Sequence, residues 1–177
     1  NCMNNKISEY LISYKKKTSM TKLHIIGNSM ISNHKVHKLL QCLVPSEIKI
    51  KYNLINNSSL FNLNDKIIED INLSSVDKVL LQPHSLDWYK PNFVSEVNTI
   101  VESLESKVFI YESLPYNTLY FDTMISHITQ ESTNFSNDSI VIPMGRCWQK
   151  LYHSLHDKNI LYIDDDIHLS SKGAFYT

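Results

Sequence analysis

A chain of 177 residues with 42 % hydrophobic and 20 % charged side chains has the material for one globular domain around a single core. Its formal charge of −1 leaves no long-range field for nucleic acid or anionic lipid, and Arg146 is the only arginine, so bidentate phosphate recognition is nearly absent. The three cysteines, Cys2, Cys42 and Cys147, are odd in number and widely spaced, which excludes a disulfide framework and a CxxC metal pair.

No apolar run approaches the roughly 18–20 residues of a membrane span. The N-terminus lacks a signal peptide's apolar core. The expectation is a cytoplasmic protein with reduced thiols, no membrane and no nucleic-acid partner.

Residues 1–20 are polar, with a lysine run at 15–17, and read as a tail or accessory segment with a solvated face. Residues 21–177 then alternate short apolar runs with amphipathic stretches. Residues 23–26 read as a buried strand ending at Gly27. Over 32–43, Val36, Leu39, Leu40 and Leu43 share one face of a predicted helix. Residues 48–52 alternate as a strand should, and 65–71 read as a short helix. A strand over 78–82 stops at Pro83, and 93–104 carry apolar residues at helical spacing. Residues 108–111 form a fourth predicted strand and 120–130 a helix. A strand over 140–142, a helix over 147–155 and an apolar run at 160–162 complete the series.

Strand–helix alternation with buried apolar strands predicts an α/β fold, a mostly parallel central sheet covered by helices on both faces. Reactive side chains in such sheets gather at the carboxyl ends of the strands. That rim holds two motifs. Gly27-Asn28-Ser29 sits where a strand turns toward a helix, so Ser29 can serve as a nucleophile whose own N–H faces an oxyanion, or simply as an ordinary N-cap. Asp165-Asp166-Ile167-His168 places a carboxylate three residues before an imidazole, either as an orienting pair or as a solvated acidic loop. The pairs His34/His37 and His153/His156 lack a third matching ligand, and the run at 164–166 lacks calcium-loop spacing, so no metal is expected.

Together the two motifs resemble the first and last signature blocks of the SGNH/GDSL hydrolase superfamily. Asn28 replaces the usual middle aspartate, and Asp165-x-x-His168-Leu169-Ser170-x-x-Gly173-Ala174 matches the last block. Residues 81–85 and 142–148 look like an uncharacterised Gly-Asn-Ser branch of that superfamily. The resemblance implies a three-layer α/β/α sandwich of flavodoxin-like SGNH type. It implies a serine esterase with Ser29 as nucleophile, His168 as base and Asp165 as its orienter, Asp164 and Asp166 being the fallbacks. No cofactor is implied. The implied substrate is a small-molecule or carbohydrate ester, O-acetyl groups among them.

The departures lie in the oxyanion hole. The family's second-block glycine has no counterpart, and Ser59 stands in as the candidate N–H donor beside that of Ser29. The third-block asparagine is missing, and Gln82 is the candidate amide donor, with the reading of a polar strand terminus beside it. His84 and Trp148 are candidate substrate contacts, Trp148 having a core reading too. A catalytically silent binding fold for carbohydrate or a protein partner is the alternative. A flavodoxin-like phosphate site at residues 27–29 is a third reading, but it gives Asp165 and His168 no role. Family members usually continue past the last block with a helix. Its shortfall here predicts marginal stability or a compensating contact from the N-terminal segment.

Overall fold

The structure is a computed structural model that describes residues 20–28, 36–54, 60 and 65–176. Ser29, Ser59, His34 and the first part of the helix predicted over 32–43 lie outside the described residues.

Strand β1 (Thr21–Gly27) is followed by α1 (Val36–Leu43), β2 (Ile48–Leu54), α2 (Asp65–Leu73) and β3 (Lys78–Leu81). Then come α3 (Phe93–Ser103), β4 (Lys107–Tyr111), α4 (Phe121–Ser132), β5 (Ser139–Ile142), α5 (Met144–Ser154) and α6 (Ser171–Tyr176). The described strands form one five-stranded sheet in the order β2-β1-β3-β4-β5, every pairing parallel. The sequence direction of the order reverses between β1 and β3. Ligand crevices of open α/β sheets form at the carboxyl ends of two such strands.

Burial explains the strand patterns. Central β1 is apolar on both sides, with Ile25 and Ile26 fully buried, as parallel strands covered on two faces require. At the sheet edge, β2 alternates, and its exposed Lys49 and Lys51 discourage edge-to-edge pairing. Register sets Ile26 beside Leu81 and Leu81 beside Ile110, with Val79 beside Val108. These side chains pack with Ile71 of α2, Val97 and Val101 of α3 and Ile128 of α4 into the main core. Each such aliphatic side chain contributes roughly 1.5–3 kcal/mol by leaving water. A second cluster joins Phe121 and Ile125 of α4, Trp148 and Tyr152 of α5, and Leu161, Tyr162 and Leu169. It lies directly beneath the loop that carries Asp165 and His168.

Three elements differ from the sequence expectation. Helix α5 begins at Met144, three residues before the predicted start at Cys147. Gly145 is not a breaker there: a Cβ on it would lie 3.2 Å from the Ser113 carbonyl oxygen, so the glycine lets α5 sit against the end of β4. Asp87–Tyr89 form a 3₁₀ turn that the periodicity did not signal. The six-residue helix Ser171–Tyr176 takes in the end of the last motif, where no helix was predicted.

His24 on β1 is buried, with its Nε2 2.8 Å from Asn53 Oδ1 and its Nδ1 without a partner. Burial lowers its pKa, opposed by the Asn53 hydrogen bond, and Lys51 adds repulsion. Lys51 and Asp70 are the charged groups lining the cleft beside it. An imidazole with a depressed folded pKa binds fewer protons than the unfolded chain below pH ~6.5. Stability is therefore expected to fall as pH drops from ~6.5 toward the depressed folded value, and to level off below it. Thermal melts of the wild type and of His24→Gln between pH 7.5 and 5 check this. The same slope in both would rule His24 out as its source.

Candidate active site

Strand β1 hands its last peptide to the rim through Asn28, which is 2 % exposed. The Asn28 N–H donates to Gln82 Oε1 at 3.2 Å, and its side-chain Nδ2 donates to the Pro83 carbonyl at 3.2 Å. The Gln82 N–H in turn donates to the Ile26 carbonyl at 2.8 Å. An asparagine in the middle of the Gly-Asn-Ser motif thus staples the ends of β1 and β3 together at the point where strand order reverses. Gln82 is 4 % exposed, and among the described residues no hydrogen bond occupies its Nε2 amide. Its acceptor end is committed and its donor end is available.

Two residues on, His84 Nδ1 accepts the Leu86 N–H at 3.2 Å, which puts the ring proton on Nε2 and makes that nitrogen a donor. The His84 N–H donates to Asp87 Oδ2 at 3.1 Å, and the buried Asp87 is paired with Lys90 at 2.7 Å.

The second motif forms a tight loop between Tyr162 and Leu169, which are joined by an antiparallel bridge. The Ile163 N–H donates to the His168 carbonyl at 3.0 Å, and the Asp166 N–H to the Ile163 carbonyl at 3.0 Å. Asp166 adopts φ 55°, a left-handed conformation that a short polar side chain tolerates. Asp165 Oδ1 accepts two backbone N–H groups, from Ile167 at 2.9 Å and His168 at 2.8 Å. Its other oxygen, Oδ2, lies 2.6 Å from His168 Nδ1. Desolvation pushes the Asp165 carboxyl up, but the His168 ring bond and the two backbone bonds outweigh it and hold the pKa down to about 2. One carboxylate thus shapes the loop and orients the imidazole. With Nδ1 engaged, Nε2 is the nitrogen left for proton transfer.

The remaining signature residues build the support. Ser170 Oγ donates to the Ile160 carbonyl and accepts the Gly173 N–H at 3.0 Å, which caps α6. A Cβ on Gly173 would lie 2.1 Å from the Leu161 carbonyl oxygen, a backbone atom that also accepts the Ser170 N–H. Gly173→Ala must push α6 away from residues 158–161 and is expected to cost about 1–3 kcal/mol, as overpacking does. At this chain length that lowers Tm by roughly 2–4 °C per kcal/mol. An unchanged melt would show that the contact relaxes freely.

Hydrogen bonds draw the rim elements together. Ser113 Oγ donates to the Pro83 carbonyl at 2.6 Å, and Ser85 Oγ to the Leu114 carbonyl at 2.6 Å. The Tyr162 hydroxyl donates to the Pro115 carbonyl at 2.9 Å, and the Asn117 N–H to the Asp166 carbonyl at 2.8 Å. Asn28, Gln82, His84, Asp165 and His168 are therefore carried on the connected carboxyl ends of β1, β3 and β4 and the loop docked on them.

Trp148 does not join this group. It is 1 % exposed, its indole N–H donates to the Tyr162 hydroxyl at 2.7 Å, and its ring meets the Tyr162 ring edge-on. The expectation that it contacts substrate is corrected: it is a core residue that supports the His168 loop from below. The fully buried Glu112 pairs with Arg146 at 3.0 Å and accepts the Arg146 N–H, fixing the start of α5. His153 pairs with Asp122 at 2.7 Å on the surface. Among the described residues no group of three or more His, Cys, Asp or Glu side chains converges as a metal site, and no helix is long and apolar enough to cross a membrane. The sequence reading missed Asn117 and Tyr152, which lie beside the loop tip.

No family model and no curated protein sequence matches the chain. Solved structures do match. An acetylxylan esterase from Geobacillus stearothermophilus is similar with a TM-score of 0.69 at 14 % identity, over 89 % of this chain and 90 % of that one. A lipase/acylhydrolase from Enterococcus faecalis is similar with a TM-score of 0.65 at 12 % identity, over 89 % and 91 % of the two chains. Catalytic mutants of the acetylxylan esterase alter a serine, an aspartate and a histidine, the last two three positions apart. The chain has the α/β/α fold of the SGNH/GDSL hydrolases.

Proposed function

We propose that the protein is a serine esterase acting on small acyl esters through Ser29, His168 and Asp165. The observation that carries this reading is the Asp165–His168 pair, held at 2.6 Å through Nδ1 on the rim that receives β1. Its Asp-x-x-His spacing is that of the aspartate and histidine altered in the catalytic mutants of the acetylxylan esterase.

In this mechanism Ser29 Oγ attacks the ester carbonyl carbon and passes its proton to His168 Nε2. The carbonyl oxygen becomes an oxyanion that takes hydrogen bonds from the Ser29 N–H, the Ser59 N–H and the Gln82 amide. Collapse breaks the bond to the alcohol oxygen, which leaves with the proton from His168. Water, deprotonated by the same nitrogen, then attacks the acyl-enzyme and releases the acid. His84, with its Nε2 proton, contacts the alcohol portion of the substrate. The acetylxylan esterase neighbour favours an O-acetyl carbohydrate as the substrate class.

One observation favours a second reading, a silent binding fold. The residue standing for the usual third-block asparagine is a glutamine, one methylene longer, and no glycine stands for the second block. Labelling with a fluorophosphonate probe, with p-nitrophenyl acetate turnover in parallel, separates the two. The esterase requires labelling and turnover that both vanish in Ser29→Ala. A folded wild type that neither labels nor turns over would support the silent fold.

A further inference from the structure

We infer that Asn117 is a positioning residue that clamps the tip of the His168 loop and thereby sets the imidazole for proton transfer. The inference rests on the esterase reading above for its catalytic consequence, but not for its geometry.

Asn117 follows β4 in the segment leading to α4, 49 residues from Asp166 in sequence. It grips Asp166 twice. Its backbone N–H donates to the Asp166 carbonyl at 2.8 Å, and its Nδ2 donates to Asp166 Oδ1 at 2.7 Å. Its remaining acceptor, Oδ1, takes the Tyr152 hydroxyl proton at 2.8 Å. Tyr152 is itself immobilised: it is 9 % exposed, stacks on Phe121 with ring centroids 3.8 Å apart, and has Lys158 Nζ over its ring at 4.6 Å from the centroid. Burial first, and then the Asp122 and Asp166 carboxylates, raise the Tyr152 pKa, so its hydroxyl stays a donor.

The residue clamped is the one with φ 55°, directly after Asp165. Aspartate tolerates this conformation without being confined to it, so the bonds around it decide whether the loop tip holds. Asn117 supplies two of those bonds. Release of Asp166 frees the peptide that aims the Asp165 carboxylate, and with it the His168 ring. Only an amide fits position 117. Aspartate would oppose the Asp166 carboxylate, and leucine, of similar shape, would leave both partners unpaired.

The test compares Asn117→Leu, Tyr152→Phe and the double variant with the wild type. Asn117→Leu is expected to lower kcat about 10–100-fold with KM little changed, because a displacement near 1 Å costs that much in a catalytic constellation. Tyr152→Phe, which removes only the outer bond, is expected to lower kcat less. The double variant is expected to fall no further than Asn117→Leu, since the two residues act in one chain. The downfield proton resonance of His168 Nδ1–H, held by Asp165, should weaken or shift in Asn117→Leu and return toward wild type in Asn117→Gln. That signal reads the clamp even if the wild type proves inactive, so failure of the esterase reading leaves this inference testable. A variant that keeps the wild-type resonance and kcat, whatever its Tm, overturns the inference. If Asn117→Leu does not fold, Tyr152→Phe gives the same two readouts.

Discussion

Asp165→Asn is expected to lower kcat on p-nitrophenyl acetate by about 10⁴ while leaving KM nearly unchanged, as the loss of the orienting carboxylate does in serine hydrolase triads. The reason lies in how the carboxylate divides its lone pairs. Oδ1 accepts the Ile167 and His168 backbone N–H groups, and Oδ2 faces His168 Nδ1. An asparagine keeps its oxygen on the backbone donors and turns its NH₂ toward the ring. Nδ1 must then accept, the proton moves to Nε2, and that nitrogen can no longer take the Ser29 proton. The loop survives and the chemistry does not. Activity within tenfold of wild type would place the orienting carboxylate elsewhere, on Asp164 or Asp166. The acid behaviour follows from the same bonds. The Asp165 carboxyl is held down to about 2 in the fold, against about 3.9 in an unfolded chain. Its contribution to stability is complete above pH ~4 and is lost as pH falls from there through about 2. The side chain is 39 % exposed, so solvent screening keeps that contribution small, and Asp165→Asn should make the acid limb of the melting curve only slightly shallower.

The residues that could be read in advance were those whose role is local in the chain. Short apolar runs, one alternating segment at 48–52 and period-3.6 apolar patterns located the five strands and the main helices, because burial in this fold is decided within each element. The Asp165/His168 pair was legible for the same reason: three residues suffice to bring the carboxylate to Nδ1 and to two backbone donors. Asn117 and Tyr152 carried no such mark. Asn117 meets Asp166 across 49 residues and Tyr152 across 35, and nothing in a polar loop asparagine or a helix tyrosine announces its partner. Trp148 stood open between two readings because an aromatic near a strand end fits a pocket wall or a core, and the Tyr162 hydroxyl beneath the loop places it in the core. The start of α5 lies three residues before the predicted one because Gly145 makes room for the Ser113 carbonyl, a contact that no local pattern marks.

Gln82 carries the second large expectation. Replacing it with alanine is expected to reduce kcat by about 10²–10³, the usual cost of one oxyanion donor. Alanine also removes the acceptor of the Asn28 N–H, so that loss alone would not separate oxyanion stabilisation from support of the residue before Ser29. Gln82→Glu separates them. A glutamate keeps an oxygen for the Asn28 N–H, so the staple between β1 and β3 holds, but it removes the NH₂ donor and brings a negative charge toward the developing oxyanion. If Gln82 acts on the transition state, Gln82→Glu is at least as damaging as Gln82→Ala, with Tm close to wild type. If Gln82 only supports Asn28, Gln82→Glu retains most of the activity that Gln82→Ala loses. The outcome also bears on the fold as a whole. An amide that replaces the usual asparagine has one more methylene, and its carbonyl is already pinned by a backbone N–H on the neighbouring strand. That pin fixes the plane of the amide and so the direction of its NH₂, which is what an oxyanion donor requires before substrate arrives. The pin is the Asn28 backbone N–H, so Asn28→Asp is expected to leave Gln82 in place and to disturb only the side-chain bond to the Pro83 carbonyl.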